Sequence, residues 1–158
     1  MQISNIQLGE DVVVDPTTSI NNVKLCDRVK ISKFCSIYGG TNNILEIGKE
    51  TYIGMFTIIN GYADMITIGN NVSIAQGVNI MANSGPNASG LMQAYFPLIS
   101  GKVKIGNHSW IGANVVIMPG VVLEEFCVVA ANSFVNKSFP AYSVIGGNPA
   151  KLIKKLKL

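Results

Sequence analysis

Aliphatic residues recur at every sixth position through the later part of the chain: Ile105, Ile111, Ile117, Leu123, Val129 and Val135. Four places after each stand Ser109, Val115, Val121, Cys127, Ser133 and Phe139, small or β-branched except the last. The residue directly after the aliphatic is often small as well, as at Gly106, Gly112 and Ala130. A period of six matches neither the three-and-four spacing of an amphipathic helix nor a plain strand alternation. A fixed internal period constrains architecture more strongly than local propensity does. It predicts a solenoid with three flat sides, in which each six-residue unit makes one short strand and one corner. The aliphatic points inward, and the small residue four later fits where the corner narrows. Coils stack about 4.8 Å apart, so backbone groups pair with the coils above and below. No unit buries its own apolar face; stacking buries it.

The same register runs back through the chain in triplets: Leu8, Val14, Ile20; Leu25, Ile31, Ile37; Ile47, Ile53, Ile59; Ile68, Ile74, Ile80. With the two later triplets this predicts six coils. The spacing slips after Ile20, Ile37, Ile59 and Ile80, always after the third member, so every insertion leaves from one corner of the prism. The longest runs from Ile80 to Ile105, about residues 81–104. A long loop in a compact solenoid is usually functional. After Val135 the period fades, and about residues 140–158 read as a short cap on a single domain that spans residues 1–158.

Several segments carry a family resemblance. They are Ile105-Gly106-Asn107-His108-Ser109-Trp110-Ile111-Gly112-Ala113-Asn114, Met118-Pro119-Gly120, Val128-Val129-Ala130-Ala131 and Gly146-Gly147-Asn148-Pro149-Ala150-Lys151. The chain resembles the hexapeptide-repeat acyltransferases, in the branch of maltose, galactoside and polysaccharide O-acetyltransferases. The resemblance implies an all-β, left-handed parallel β-helix, a hand opposite to the usual crossover. It also implies a homotrimer and acyl transfer from acetyl-CoA to a sugar of a cell-surface polysaccharide or its nucleotide-linked precursor. The alternative reading is a catalytically silent β-helix that serves in assembly or ligand binding.

Composition narrows the field. Charged residues make up 13% and hydrophobic residues 48%, so part of the outer surface is expected to be covered, as a trimer would do. A net charge of +3 without a basic stripe interleaved with aromatics does not support nucleic-acid binding. No charged segment followed by an apolar run opens the sequence, and no apolar run reaches membrane-spanning length. A cytoplasmic protein without a transmembrane segment is the expectation. Three cysteines without a CxxC or a Cys/His cluster argue against disulfides and zinc. Cys35 and Cys127 take the small inward position and read as reduced core residues, while Cys26 is ambiguous. A γ-carbonic-anhydrase-like zinc site would need three histidines, and the chain has one. No metal is expected.

Acyl transfer needs a base for the acceptor's proton, N–H groups facing the developing oxyanion, and a groove for the long pantetheine arm. In the resembling enzymes the base is usually a histidine about five residues into the long loop. That position here is Gly85, and residues 81–104 contain no histidine. Three readings follow. His108, the only imidazole, is the base, completed by a neighbouring subunit's loop near Trp110. Alternatively the acceptor is an amine that needs no histidine, since an α-amino group titrates near 8. In the third reading the activity is lost. Asn83, Ser84, Asn87, Tyr95 and Trp110 are candidates to hold the acceptor. Asn83, Ser84 and Asn87 are equally ordinary turn formers. Gly112, Ala113, Ala130 and Ala131 are candidates to hold the cofactor, because small residues let a ligand approach the backbone. The closing motif adds Asn148, Pro149 and Lys151, Lys151 as attraction for the cofactor's phosphates. The apolar stretch 91–99 is expected to pack on a neighbouring subunit.

Overall fold

The computed structural model describes residues 4–157. Its strands form three sheets that are the faces of a triangular prism. The first face stacks six strands, from Ile6–Leu8 to Val122–Leu123. The second runs from Val13–Val14 to Val128–Val129 and continues through Ser143–Gly147 and Ala150–Lys155. The third runs from Ser19–Asn21 to Phe134–Val135. Within the coils all pairing is parallel, and the register aligns the repeat with itself. On the second face Ile31, Ile53, Ile74, Ile111 and Val129 stand one above another. This is the column that the six-residue period predicts, and its members are buried almost completely.

The ends differ from the expectation. Leu8, an expected inward residue, is 57% exposed, and Val14 and Ile20 are only partly buried. Their coil ends the sheets, so no described strand covers its outer side. At the other end the column continues past Val135. Phe139 bridges to Leu123, and Ile145 pairs with Val129 and is fully buried. The period is lost there because Phe139 follows Val135 by four residues instead of six, not because the core stops.

The corners explain two further positions. The third residue after the aliphatic adopts a left-handed conformation at Arg28, Phe34, Glu50, Phe56, Asn71, His108, Asn114, Phe126 and Asn132, with φ between 54° and 61°. Asparagine tolerates that region better than most residues. The buried fourth residue often carries a hydroxyl that satisfies corner backbone. Thr51 donates to the Gly69 carbonyl at 2.8 Å, and Ser133 to the Ala130 carbonyl at 2.6 Å. Cys35 and Cys127 occupy this same position, buried and free, and burial pushes both thiols above their ordinary pKa. Cys26 is half-buried.

The insertions all leave between the third and first faces. The longest forms a hairpin, Asn83–Ser84 antiparallel to Ile99–Ser100, topped by one helical turn, Gly90–Gln93. The outward residues of the first face include charged pairs such as Lys24 and Glu46 at 3.0 Å. Those of the third face, Ser19, Ser36, Ile58, Asn79, Val116 and Phe134, carry no charge. No described helix is long and apolar enough to cross a membrane.

Candidate functional site

Strand alternation positions the first element of the site. Ile111 points into the column, so Trp110 points out from the second face, 59% exposed, between Ser73 and Val128 of the neighbouring coils. Beyond Ile111 the chain turns through Gly112 and Ala113 to the left-handed Asn114. One coil on, Val129 is followed by Ala130, Ala131 and the left-handed Asn132, and the two asparagine side chains bond at 3.3 Å. Trp110, Gly112, Ala113, Val128, Ala130 and Ala131 together line a cleft of about 470 Å³.

The four small residues are small for different reasons. A methyl group on Gly112 would lie 2.6 Å from the Ala131 nitrogen and 2.7 Å from the Val129 oxygen, so the next coil demands glycine there. Gly106 has the same cause, its added carbon falling 2.8 Å from the Glu124 oxygen. Ala113 and Ala131 stand at the corner itself, half-buried and exposed. Their N–H groups differ from those at the corner between the first and second faces. There the N–H groups of Glu10, Lys49 and Asn70 are taken by Asp27, Asn70 and Asn107 side chains at 2.8–3.0 Å. The Glu10 N–H bond and then the Lys49 ammonium hold the Asp27 carboxyl below the usual range. The Ala113 and Ala131 N–H groups have no protein acceptor among the described residues. Two free amides one coil apart, beside an exposed indole, can donate to the carbonyls of an extended ligand.

His108 shares a coil with Trp110 but stands at the corner between the first and second faces, with φ 58°. Its ring stacks on Phe126 at 4.7 Å, and Phe126 stacks on Tyr142 at 5.1 Å. This three-ring ladder was not read from the sequence. Its members are 18 and 16 positions apart, and the second interval departs from the regular coil.

Asn83, Ser84, Asn87 and Tyr95 lie on the long insertion, at another corner from both the cleft and His108. Asn83 and Ser84 are half-buried in the hairpin, and the Asn83 Oδ1 is buried without a hydrogen-bond partner among the described residues. Asn87 is exposed in a tight turn, its N–H donating to the Gly85 carbonyl at 3.0 Å. Tyr95 is 80% exposed, and Leu91, Phe96, Leu98 and Ile99 are exposed beside it. Within one chain the structure therefore gathers Trp110 with Gly112, Ala113, Ala130 and Ala131, and leaves the insertion residues and His108 at other corners.

The segment expected as a cap is a strand hairpin that lengthens the second face. A cis Asn148–Pro149 bond turns Ser143–Gly147 back into Ala150–Lys155, and Lys151 sits opposite Gly146. A methyl group on Gly146 would lie 2.9 Å from the Ala130 Cβ, which places this motif directly beyond the cleft. Asn148, Pro149 and Lys151 are all exposed. No group of three or more His, Cys, Asp or Glu side chains suited to a metal occurs among the described residues.

Residues 102–137 match the family described as bacterial transferase hexapeptide (six repeats). AntD, an N-acyltransferase from Bacillus cereus solved with dTDP and 3-hydroxybutyryl-CoA, superposes with a TM-score of 0.84 at 25% identity, over 97% of this chain and 84% of that one. The chain folds as a left-handed parallel β-helix built on hexapeptide repeats. This hexapeptide-repeat protein is 33% identical to galactoside O-acetyltransferase of Escherichia coli (strain K12) over 121 residues, 76% of this chain and 58% of that protein. It is 28% identical to dTDP-4-amino-4,6-dideoxy-D-glucose acyltransferase of Escherichia coli over 157 residues, 94% of this chain and 81% of that protein. It spans about three fifths of the length of several other curated relatives, 61% and 59% in two cases.

Proposed function

We propose that this protein is an acetyl-CoA-dependent acyltransferase that modifies a sugar of a cell-surface polysaccharide or its nucleotide-linked precursor. The observation that carries the reading is the cleft of small residues with two free amides, open along the second face toward the closing hairpin. The relatives support it: AntD is solved with an acyl-CoA, and the curated relatives are acetyl- and acyltransferases by name. Ala113 and Ala131 donate to the pantetheine carbonyls, Gly112 and Ala130 leave room for it, and Asn148, Pro149 and Lys151 border the adenine and phosphate end. When bound, acetyl-CoA supplies a thioester whose acyl group moves to the acceptor. The acceptor's oxygen or nitrogen bonds to the acyl carbon, the C–S bond breaks, and the acceptor's proton is taken up by a base.

His108 is that base in our reading, because it is the only imidazole and is exposed two residues from Trp110. Asn83, Ser84, Asn87 and Tyr95 then reach the site from a neighbouring subunit of a homotrimer, where the apolar insertion and the uncharged third face find partners. A cytoplasmic location accords with both substrates. A specific observation favours the second reading, an amine acceptor that supplies its own nucleophile. The stack on Phe126 and Tyr142 gives His108 a structural reason for its place. His108→Asn separates the two. With a hydroxyl acceptor and His108 as base, turnover falls about 10²–10⁴-fold and CoA binding holds; a near-wild-type rate ends the assignment. Absence of CoA binding by calorimetry would favour a catalytically silent β-helix instead.

A further inference from the structure

Resting on the reading that the second face carries the acyl donor at its later coils, we propose that its earlier coils bind the nucleoside diphosphate of a nucleotide-linked sugar acceptor. The outward residues of this face run one per coil and in register: Val13, Lys30, Tyr52, Ser73, Trp110 and Val128. Trp110 and Val128 belong to the cleft already described. Val13, Lys30 and Tyr52 line a second, separate open cavity of about 740 Å³, with Asp11, Arg28 and Glu50 on the adjoining corner.

Three features of this cavity suit an anionic ligand with rings at both ends. Lys30 is the one charged residue in the outward column from Val13 to Val128. Two nearby lysines are taken by acids, Lys24 by Glu46 at 3.0 Å and Lys49 by Asp27 at 3.3 Å. Lys30 has no acidic partner among the described residues. Second, both the Nε and Nη2 of Arg28 donate to one Glu50 oxygen, at 2.9 and 2.7 Å. That contact orients the guanidinium and leaves its Nη1 without a protein acceptor among the described residues. A lysine point charge beside an oriented guanidinium edge is a common arrangement for phosphate. Third, Lys30 is flanked by exposed apolar and aromatic surface, Val13 on one side and Tyr52 on the other.

The order along the face matches the order of groups in such an acceptor. The nucleoside lies over Val13, the diphosphate at Lys30 and Arg28, and the sugar ring on Tyr52. One further coil step of about 4.8 Å then brings the reactive end to Ser73, next to Trp110 and the donor cleft. Donor and acceptor thus approach each other along one wall, from opposite ends.

Calorimetric titrations of the full chain with dTDP, UDP, GDP and inorganic pyrophosphate, and separately with CoA, test the assignment. At least one nucleoside diphosphate binds, more tightly than pyrophosphate, and Lys30→Glu weakens it tenfold or more while CoA affinity stays within twofold. Lys30 is exposed, so circular dichroism of the variant should show an unchanged fold. Nucleotide binding that survives Lys30→Glu overturns the proposal. So does its absence in unaltered protein that binds CoA. So does a variant whose oligomeric mass changes while nucleotide affinity does not, which would make this surface a contact between copies. Failure to bind CoA would overturn the donor reading alone, since the nucleotide titration is a separate measurement.

Discussion

Gly112 and Ala131 face the same cleft, but the fold requires only one of them. Gly112→Ala pushes a carbon against backbone of the next coil at 2.6 Å. Such overpacking costs about 1–3 kcal/mol, so thermal melting should fall clearly. Ala131 is exposed at the corner. Ala131→Leu should melt near the unaltered protein yet fill the cleft and lower CoA affinity about tenfold; unchanged affinity would remove Ala131 from the donor site. His108→Asn is a clean probe for a related reason. Asn71, Asn114 and Asn132 already occupy the equivalent left-handed corner positions, so the variant loses only a ring stack of about 0.5–1.5 kcal/mol. The cysteines give a further residue-scale test. A disulfide-exchange thiol reagent should titrate half-buried Cys26 in the native protein and reach Cys35 and Cys127 only after unfolding. Burial raises the pKa of those two thiols. Their contribution to stability is therefore complete below the ordinary thiol value of about 8.5 and is lost as pH rises above it. Denaturant melts at pH 7 and pH 10 check the sign.

The long insertion is an element that the single chain cannot explain. Its helical turn has four residues, far too few to be stable alone. A serine cap helps hold it, the Met92 N–H donating to Ser89 Oγ at 3.1 Å, together with the two-residue hairpin beneath. Yet Leu91 is 86% exposed, with Tyr95, Phe96, Leu98 and Ile99 around it. An apolar patch of this kind on a polar prism marks an interaction surface. Replacing Leu91, Tyr95 and Phe96 together with serine should release subunits from the proposed trimer and leave the melting of the β-helix itself little changed. Light scattering that still shows a trimer would mean that the insertion does not hold the subunits together.

For the molecule as a whole, stability is a stack of nearest-neighbour contacts. A central residue such as Ile74 is fully buried between two coils, and Ile74→Ala should cost about 2–5 kcal/mol. Leu8 occupies the same repeat position in the end coil but is 57% exposed, so Leu8→Ala should cost under about 1 kcal/mol. Amide exchange should follow the same gradient. Protection should be greatest in the strands Tyr52–Ile53, Ser73–Ile74 and Trp110–Ile111 and least in Ile6–Leu8 and Val13–Val14. Uniform exchange along the stack would contradict a nearest-neighbour solenoid.

The six-residue period alone determined the prism, its column of aliphatics and the single corner from which insertions leave. Each of those follows from one local rule repeated in register, which is why the column of Ile31, Ile53, Ile74 and Ile111 is legible in the sequence. Grouping Gly112 and Ala113 with Ala130 and Ala131 was legible for the same reason: one coil is eighteen residues, so sequence offsets convert directly to neighbours, whereas Trp110, read as an acceptor residue, joins them in the structure. Only the tertiary structure decided what depends on irregular spacing or on bonds left unmade. Ile145 continues the core sixteen positions after Val129, and Tyr142 completes a ladder over Phe126 and His108, at offsets that the repeat does not predict. The free amides of Ala113 and Ala131 and the unpaired charge of Lys30 are defined by the absence of a partner across coils. A residue list cannot show that absence, because whether a polar group is satisfied depends on every neighbour that folding brings to it.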